Sequence, residues 1–345
     1  MKKYSFKNDY SEGCHPAILQ ALAASNMDQQ PGYGDDRYSR EAIELIRRQM
    51  QFPAGDIHLV SGGTQANLTV IGAMLRPHES VIAANTGHIN VHETGAIEAT
   101  GHKVEVIRSG DGKLYPAQIK AFLGTVDAVH MTKPRMVYIS NSTEVGTFYT
   151  KGELQALHEC CKAHQLWLFM DGARMGSGLC AAGSDLTLPD VARCTDVFYI
   201  GGTKNGALFG EAIVICNPLL QEDFKFHLKQ RGALLAKGRA LGVQFQALFT
   251  NDLYFELARY ANGLAAVLTA ALKEAGYAML TESTTNQVFP VLPNTIMEQL
   301  LQAFEFYPWQ KIDDQNTAIR LVTSWATPES AVQAFIEKLK TVTPQ

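Results

Sequence analysis

Nowhere in these 345 residues does an apolar run extend far enough to cross a bilayer, and the opening MKKYSFKND lacks the apolar centre of a secretory leader. A cytoplasmic protein is expected. Charge of one sign is missing too. The 30 Lys and Arg stand against 34 Asp and Glu, which gives no electrostatic case for nucleic acid or an anionic membrane surface as partner. The six cysteines include no Cys-x-x-Cys pair and no disulfide framework. His158 and His164 flank Cys160 and Cys161 on one predicted helix, but no second ligand pair closes a zinc site, so no metal is expected. Also absent are the glycine fingerprints of dinucleotide and triphosphate sites, which removes the main support for a nicotinamide-dependent dehydrogenase. Internal repeats and low-complexity linkers are lacking.

What is present is an alternation. Short apolar, strand-like runs occur at 57–60, 80–84, 104–107, 136–140, 166–170, 197–200 and 212–216. Helix-length patterns lie between most of them, at 65–75, 90–100, 116–123 and 151–164. Such an order predicts an α/β fold with a mostly parallel seven-stranded sheet between layers of helices. After about residue 245 the texture changes. A long helical stretch over 246–275 leads to strand candidates at 278–280, 287–290 and 317–323, with helices near 294–304 and 328–341. The expected division is a large domain over 1–245, N-terminal segment included, and a smaller α+β domain over 246–345.

In an open parallel sheet the ligand sits beyond the carboxyl ends of the strands, so the residues following each strand carry the functional information. After the first comes SGGTQAN (61–67), just before a helix. Gly62, Gly63 and Thr64 can let an anion approach backbone N–H groups at a helix start. After the fifth comes DGARMGSG (171–178); a carboxylate such as Asp171 at a buried strand end needs a cation or strong donors. The plainer reading is a structural pair of Asp171 with Arg174. After the sixth comes GGTKNG (201–206), where Lys204 follows a buried strand and has the setting of a Schiff-base lysine. Phosphate cradle, buried carboxylate and amine together match the phosphate, ring nitrogen and aldehyde of pyridoxal 5′-phosphate.

These segments, with GYGDD (32–36), GHINVHETGA (87–96) and IRLVTSW (319–325), occur in an order and spacing that resembles the threonine aldolase and β-eliminating lyase group of fold-type I pyridoxal-phosphate enzymes. The resemblance covers nearly the whole chain. It implies Lys204 as the cofactor-linked lysine, Asp171 on the pyridine nitrogen, and His88 stacked on the ring and able to handle protons. It places Arg174 at the ring's phenolic oxygen or the substrate carboxylate. Thr203 would join Gly62, Gly63 and Thr64 around the phosphate. Arg320 would bind the amino acid's carboxylate, assisted by Ser11, and Tyr33 would belong to the substrate site. The implied assembly is a homodimer or homotetramer with shared active sites, and Lys237 or Arg239 would bring positive charge to a neighbouring subunit's site.

One departure bears on the reaction. The resemblance calls for Glu-Asn-Thr-His after the fourth strand, and this chain has Ser140-Asn141-Ser142-Thr143-Glu144, with Thr143 in the histidine's place. A hydroxyl is a poor base near neutral pH, which leaves His88, Glu144 or a water to take a proton from a β-hydroxyl. The favoured expectation is cleavage of the Cα–Cβ bond of a β-hydroxy-L-amino acid to glycine and an aldehyde. The alternatives are β-elimination to ammonium and a keto acid, and a non-catalytic binding protein that keeps the fold.

Overall fold

A computed structural model describes residues 3–127 and 129–343. The chain opens with the two-residue strand β1 (Tyr4–Ser5). Seven strands then build the main sheet: β2 (Asp56–Val60), β3 (Glu79–Ala84), β4 (Val104–Ile107), β5 (Lys133–Ser140), β6 (Trp167–Asp171), β7 (Val197–Gly201) and β8 (Glu211–Ile215). Their order across the sheet is β2-β8-β7-β6-β5-β3-β4, with β8 antiparallel to both neighbours and the other contacts parallel. This is the α/β architecture expected from the alternation.

Alternate side chains explain why these strands read as continuous apolar runs. Val137, Ile139, Leu168, Met170, Phe198 and Ile200 enter one core, while Met136, Tyr138, Phe169, Val197 and Tyr199 enter another on the opposite face. Helices cover both faces, so neither can be polar.

Antiparallel β8 has a consequence for the site. Its first residue, Glu211, pairs with Gly201 at the end of β7 and Val60 at the end of β2. A carboxylate is thereby delivered to the same sheet edge as the carboxyl ends of the parallel strands.

The second sheet holds β9 (Met279–Thr281), β10 (Gln287–Pro293), β12 (Tyr307–Lys311) and β13 (Asn316–Val322), in the order β12-β13-β10-β9. Strand β11 (Phe304–Glu305) pairs instead with β1, so the N-terminus joins this half, and Phe6 lies wholly buried in its core with Leu268, Leu321 and Phe335. The expected helix over 246–275 is two helices, Arg239–Phe249 and Leu253–Glu274. Asn251 and Asp252 break it with left-handed backbone, a conformation their short polar side chains tolerate. Phe245, Leu248 and Phe249 pack into the large core, so we propose that the domain division falls at this break. The pattern over 90–100 is likewise interrupted: only His88–Val91 and the 3₁₀ turn Glu98–Thr100 are helical, separated by positive φ at Thr94 and Gly95.

Candidate active site

Two adjoining cavities open at the carboxyl edge of the main sheet. The inner one, about 300 Å³, is lined by Ser61, Gly62, Gly63, Thr64, Asp171, Tyr199, Thr203 and Glu211. The outer one, about 450 Å³, reaches Tyr307, Trp309 and Arg320 of the small sheet and His92. Tyr10, His88, Glu144, Arg174 and Lys204 line both. Strand ends separated by more than a hundred residues thus converge, as the topology of a parallel sheet requires.

Asp171 ends β6, is 4% exposed, and is held by dipoles. Its Oδ1 accepts the Ala173 N–H at 2.9 Å, and its Oδ2 accepts the Asn67 amide at 3.2 Å and the Tyr138 hydroxyl. Burial pushes the carboxyl up, yet the nearby His88 and these donors outweigh it and hold it below the usual carboxylate range. The pair with Arg174 anticipated from sequence does not form. Arg174 instead makes a bidentate bridge to Asp9, at 2.7 and 3.0 Å, and Asn286 donates to the same carboxylate at 2.9 Å.

Lys204, in the turn after β7, is half-buried, and no described residue accepts a hydrogen bond from its Nζ; the Tyr10 ring centroid lies 6.0 Å away. Burial, then the positive charge of Arg174, lowers its pKa, against the opposing pull of Asp9, Asp171 and Glu211. The neutral amine is correspondingly more accessible.

Beside it the helix Gly63–Met74 starts at Gly62 without a side-chain cap, which leaves its first N–H groups open to the cavity. A Cβ on Gly63 would stand 3.0 Å from the Tyr199 hydroxyl, so a side chain there would crowd the cradle. Thr203 supplies a hydroxyl on the other side. His88 Nδ1 is 2.7 Å from buried Glu93, whose Oε1 also accepts from Asn67 at 2.6 Å; one amide therefore links the supports of His88 and Asp171.

In the outer cavity Arg320 lies against Trp309 and Tyr307, its guanidinium carbon 4.8 and 5.6 Å from their ring centroids. One Nη donates to the Lys7 carbonyl at 3.2 Å, and the buried Nε has no partner. Burial and then the like charge of Arg174 lower its pKa. Two guanidinium groups face one cavity, and among the described residues only Arg174 has a carboxylate.

Two residues expected at the site lie elsewhere in this chain. Ser11 is exposed and donates to Asn8 at 2.9 Å, while its neighbour Tyr10 lines both cavities. Tyr33 is 44% exposed beside a separate cavity, with Lys229 4.3 Å over its ring. Arg239 donates to the carbonyls of Ser25 and Asp28, which ties it to the end of the helix Pro16–Ser25; Lys237 is exposed.

Comparison with known proteins agrees with this arrangement. The family model described as β-eliminating lyase matches residues 7–295. The chain belongs to the β-eliminating lyase family. A low specificity L-threonine aldolase of Pseudomonas aeruginosa is 31% identical to it over 341 residues, which is 98% of this chain and 97% of that one. A solved threonine aldolase of Leishmania major superposes with a TM-score of 0.97 at 48% identity, covering 99% of this chain and all of the other. An aspartate aminotransferase of Thermus thermophilus, at 16% identity and a TM-score of 0.73, shares the fold. As a fold-type I member of the β-eliminating lyase family this enzyme uses pyridoxal 5′-phosphate.

Glu211 and Asp9 are site residues that the sequence reading passed over. No local motif marks either: Glu211 reaches the site through the reversed direction of β8, and Asp9 through a pairing with Arg174, 165 residues along the chain. No helix among the described residues is long and apolar enough to cross a membrane, and none of their His, Cys, Asp and Glu clusters forms a metal site.

Proposed function

We propose that this enzyme cleaves the Cα–Cβ bond of β-hydroxy-L-amino acids, releasing glycine and an aldehyde, with pyridoxal 5′-phosphate carried on Lys204. The observation that carries the reading is the meeting of a lysine with no hydrogen-bond acceptor among the described residues and a dipole-held aspartate in one cavity, adjoining a second cavity lined by Arg320, whose guanidinium has no carboxylate among the described residues. When bound, the cofactor supplies the electron sink for the pair left at Cα.

The chain's residues do the rest. Asp171 keeps a negative charge where the pyridine nitrogen would be protonated. Gly62, Gly63, Thr64 and Thr203 would take the phosphate, and His88, which lines the same cavity, would face the ring. Arg320, with the edge of Arg174 that Asp9 leaves free, receives the substrate carboxylate in bidentate fashion. Holding the carboxylate would fix the substrate's orientation, and with it the bond at Cα that is cleaved.

A cytoplasmic location and a homodimer or homotetramer with shared sites belong to the same proposal. Six free cysteines support the first. The position of Tyr33, exposed and outside the two active-site cavities of its own chain, supports a role at a neighbour's site.

Purified holoenzyme incubated with L-threonine, L-allo-threonine and phenylserine, in parallel with L-serine and L-cysteine, tests the reaction. Glycine with the matching aldehyde is expected. Ammonium with a keto acid, and no glycine, would replace this reading by β-elimination. Borohydride reduction and peptide mapping should place the cofactor on Lys204, and a tag on any other lysine would remove the assignment.

A further inference from the structure

Cleaving a β-hydroxy amino acid requires that the β-hydroxyl lose its proton as the Cα–Cβ bond breaks. The group that accepts it must sit where the two cavities meet, because Cα lies within reach of Lys204 and the carboxylate lies toward Arg320. Five side chains form that neck: Tyr10, His88, Glu144, Arg174 and Lys204. Arg174 is a cation already engaged by Asp9. Lys204 is the cofactor's anchor. The Nδ1 of His88 is committed to Glu93. Tyr10 is a phenol and 54% exposed. Thr143 is fully buried, with its hydroxyl bonded to Thr147 at 2.8 Å, and lines neither cavity.

Glu144 differs from all of these. Its Oε1 is fixed by the Ser140 hydroxyl at 2.8 Å and by the His88 backbone N–H at 3.1 Å, while no described residue donates to Oε2. One oxygen is anchored and the other is available in the neck. We propose that Glu144 is the catalytic base that takes the proton from the substrate's β-hydroxyl, an assignment that rests on the aldolase reading above. The proton passes from the hydroxyl to Oε2, and the O–H pair becomes the carbonyl π bond of the departing aldehyde. The Cα–Cβ pair stays with Cα, which is protonated to give glycine, and the carboxyl group then releases its proton to complete the cycle.

The acidity of the group suits this task. Burial, then the charge of Asp171, raises it, while the Ser140 hydroxyl, a backbone N–H and His88 pull it down, with a net rise above the ordinary glutamate value, the direction that favours a base. The other charged or titratable groups around it are Arg174, Lys204 and Tyr10 in the neck, His92 in the outer cavity, and the buried Tyr138 and Tyr149.

The test uses the holoenzyme and the variants Glu144→Gln, Glu144→Ala and His92→Phe, since His92 is a second imidazole in the outer cavity. In Glu144→Gln, kcat for cleavage should fall at least about 100-fold, with glycine still shifting the visible spectrum at its wild-type Kd. Formate should restore activity to Glu144→Ala, an effect no structural role predicts. His92→Phe should stay within a few-fold of wild type. In cofactor-free protein labelled with ¹³C-carboxyl glutamate, infrared titration should show two carboxyls protonated above the ordinary glutamate range, those of Glu144 and Glu211, and only one of them in Glu144→Gln. Wild-type protein that releases no glycine from any β-hydroxy amino acid would remove the aldolase reading itself. Wild-type cleavage with an active Glu144→Gln, with no rescue by formate, or with the larger loss in His92→Phe would remove Glu144 alone.

Discussion

Asp171 and Glu211 face the same cavity from β6 and β8, with only β7 between them, and each is 4% exposed. Equal burial leaves them in opposite states. Asp171 stays well ionised, while Glu211 is pushed up to about 8, first by burial and further by Asp171. The difference lies in what surrounds them. Asp171 has three donors and the charge of His88 nearby; Glu211 has the Gly202 N–H at 3.0 Å and the Thr203 hydroxyl at 2.9 Å, with Lys204 the main charge in its favour. Burial sets the cost of a charge, and the donors decide whether it is met. The consequence is functional. In the proposed reading, a fixed anion would serve the ring nitrogen, and a neutral acid beside the Gly62–Thr64 turn would spare a bound phosphate the repulsion of a second anion.

The largest way to break this contrast is to delete its ionised member. In Asp171→Ala, turnover should fall roughly 10³-fold, about 4 kcal/mol in barrier. The visible absorption of bound cofactor should persist, since the cradle and Lys204 are untouched. Steady-state kinetics on cofactor-saturated enzyme checks it, and turnover near wild type would make Asp171 a structural residue.

Asp9 offers a third solution, in which a cation rather than dipoles meets the charge. Burial raises its pKa, but Arg174, Lys204 and Asn286 lower it below the ordinary range. Its contribution to stability is therefore complete above that range and is lost as pH falls through the lowered value. Asp9→Asn leaves Arg174 buried and unpaired and should cost roughly 3 kcal/mol in denaturant unfolding at neutral pH. A loss no larger than that of a surface substitution would show that Arg174 finds another partner.

Glu211→Gln should act on pH dependence. Below the unfolded pKa of 4.5 both states of Glu211 are protonated, and no penalty exists. Between that value and about 8 only the unfolded chain gives up the proton, so folded stability declines as pH rises across the window. The pull of Lys204 is already contained in that value. The glutamine variant should flatten the curve between pH 5 and 8 by up to roughly 4 kcal/mol while cofactor still binds. An unchanged slope would mean that Glu211 is ionised in the native protein.

These contrasts explain what the sequence made legible. The strands were readable because sheets buried on both faces leave continuous apolar runs, and Lys204 and Asp171 were readable because they directly follow such runs. The interruption at Asn251 and Asp252 was hidden, since helical composition continues on both sides. The partner of Arg174 was hidden for a different reason: Asp9 is 165 residues away, and pairing at that distance is set by how β1 and the small sheet close over the large domain. The same holds for Glu211, whose place at the site follows from the reversed direction of β8 and not from any local motif.

The smallest effect belongs to Tyr138→Phe, which removes one donor from the ionised member and leaves everything else. Tyr138 is 1% exposed, its ring packs edge-on to Phe169 at 5.5 Å between centroids, and phenylalanine fills the same space. Asp171 keeps the Asn67 amide, the Ala173 N–H and the nearby His88, so its carboxylate loses about 1 kcal/mol of support and does not become neutral. Turnover should drop by less than about tenfold, with the acid limb of the pH–rate profile moved to higher pH, because a less stabilised anion takes up its proton earlier. If the drop instead equalled that of Asp171→Ala, the charge would rest on a single hydroxyl. Asp171 would then be no better supplied with donors than Glu211.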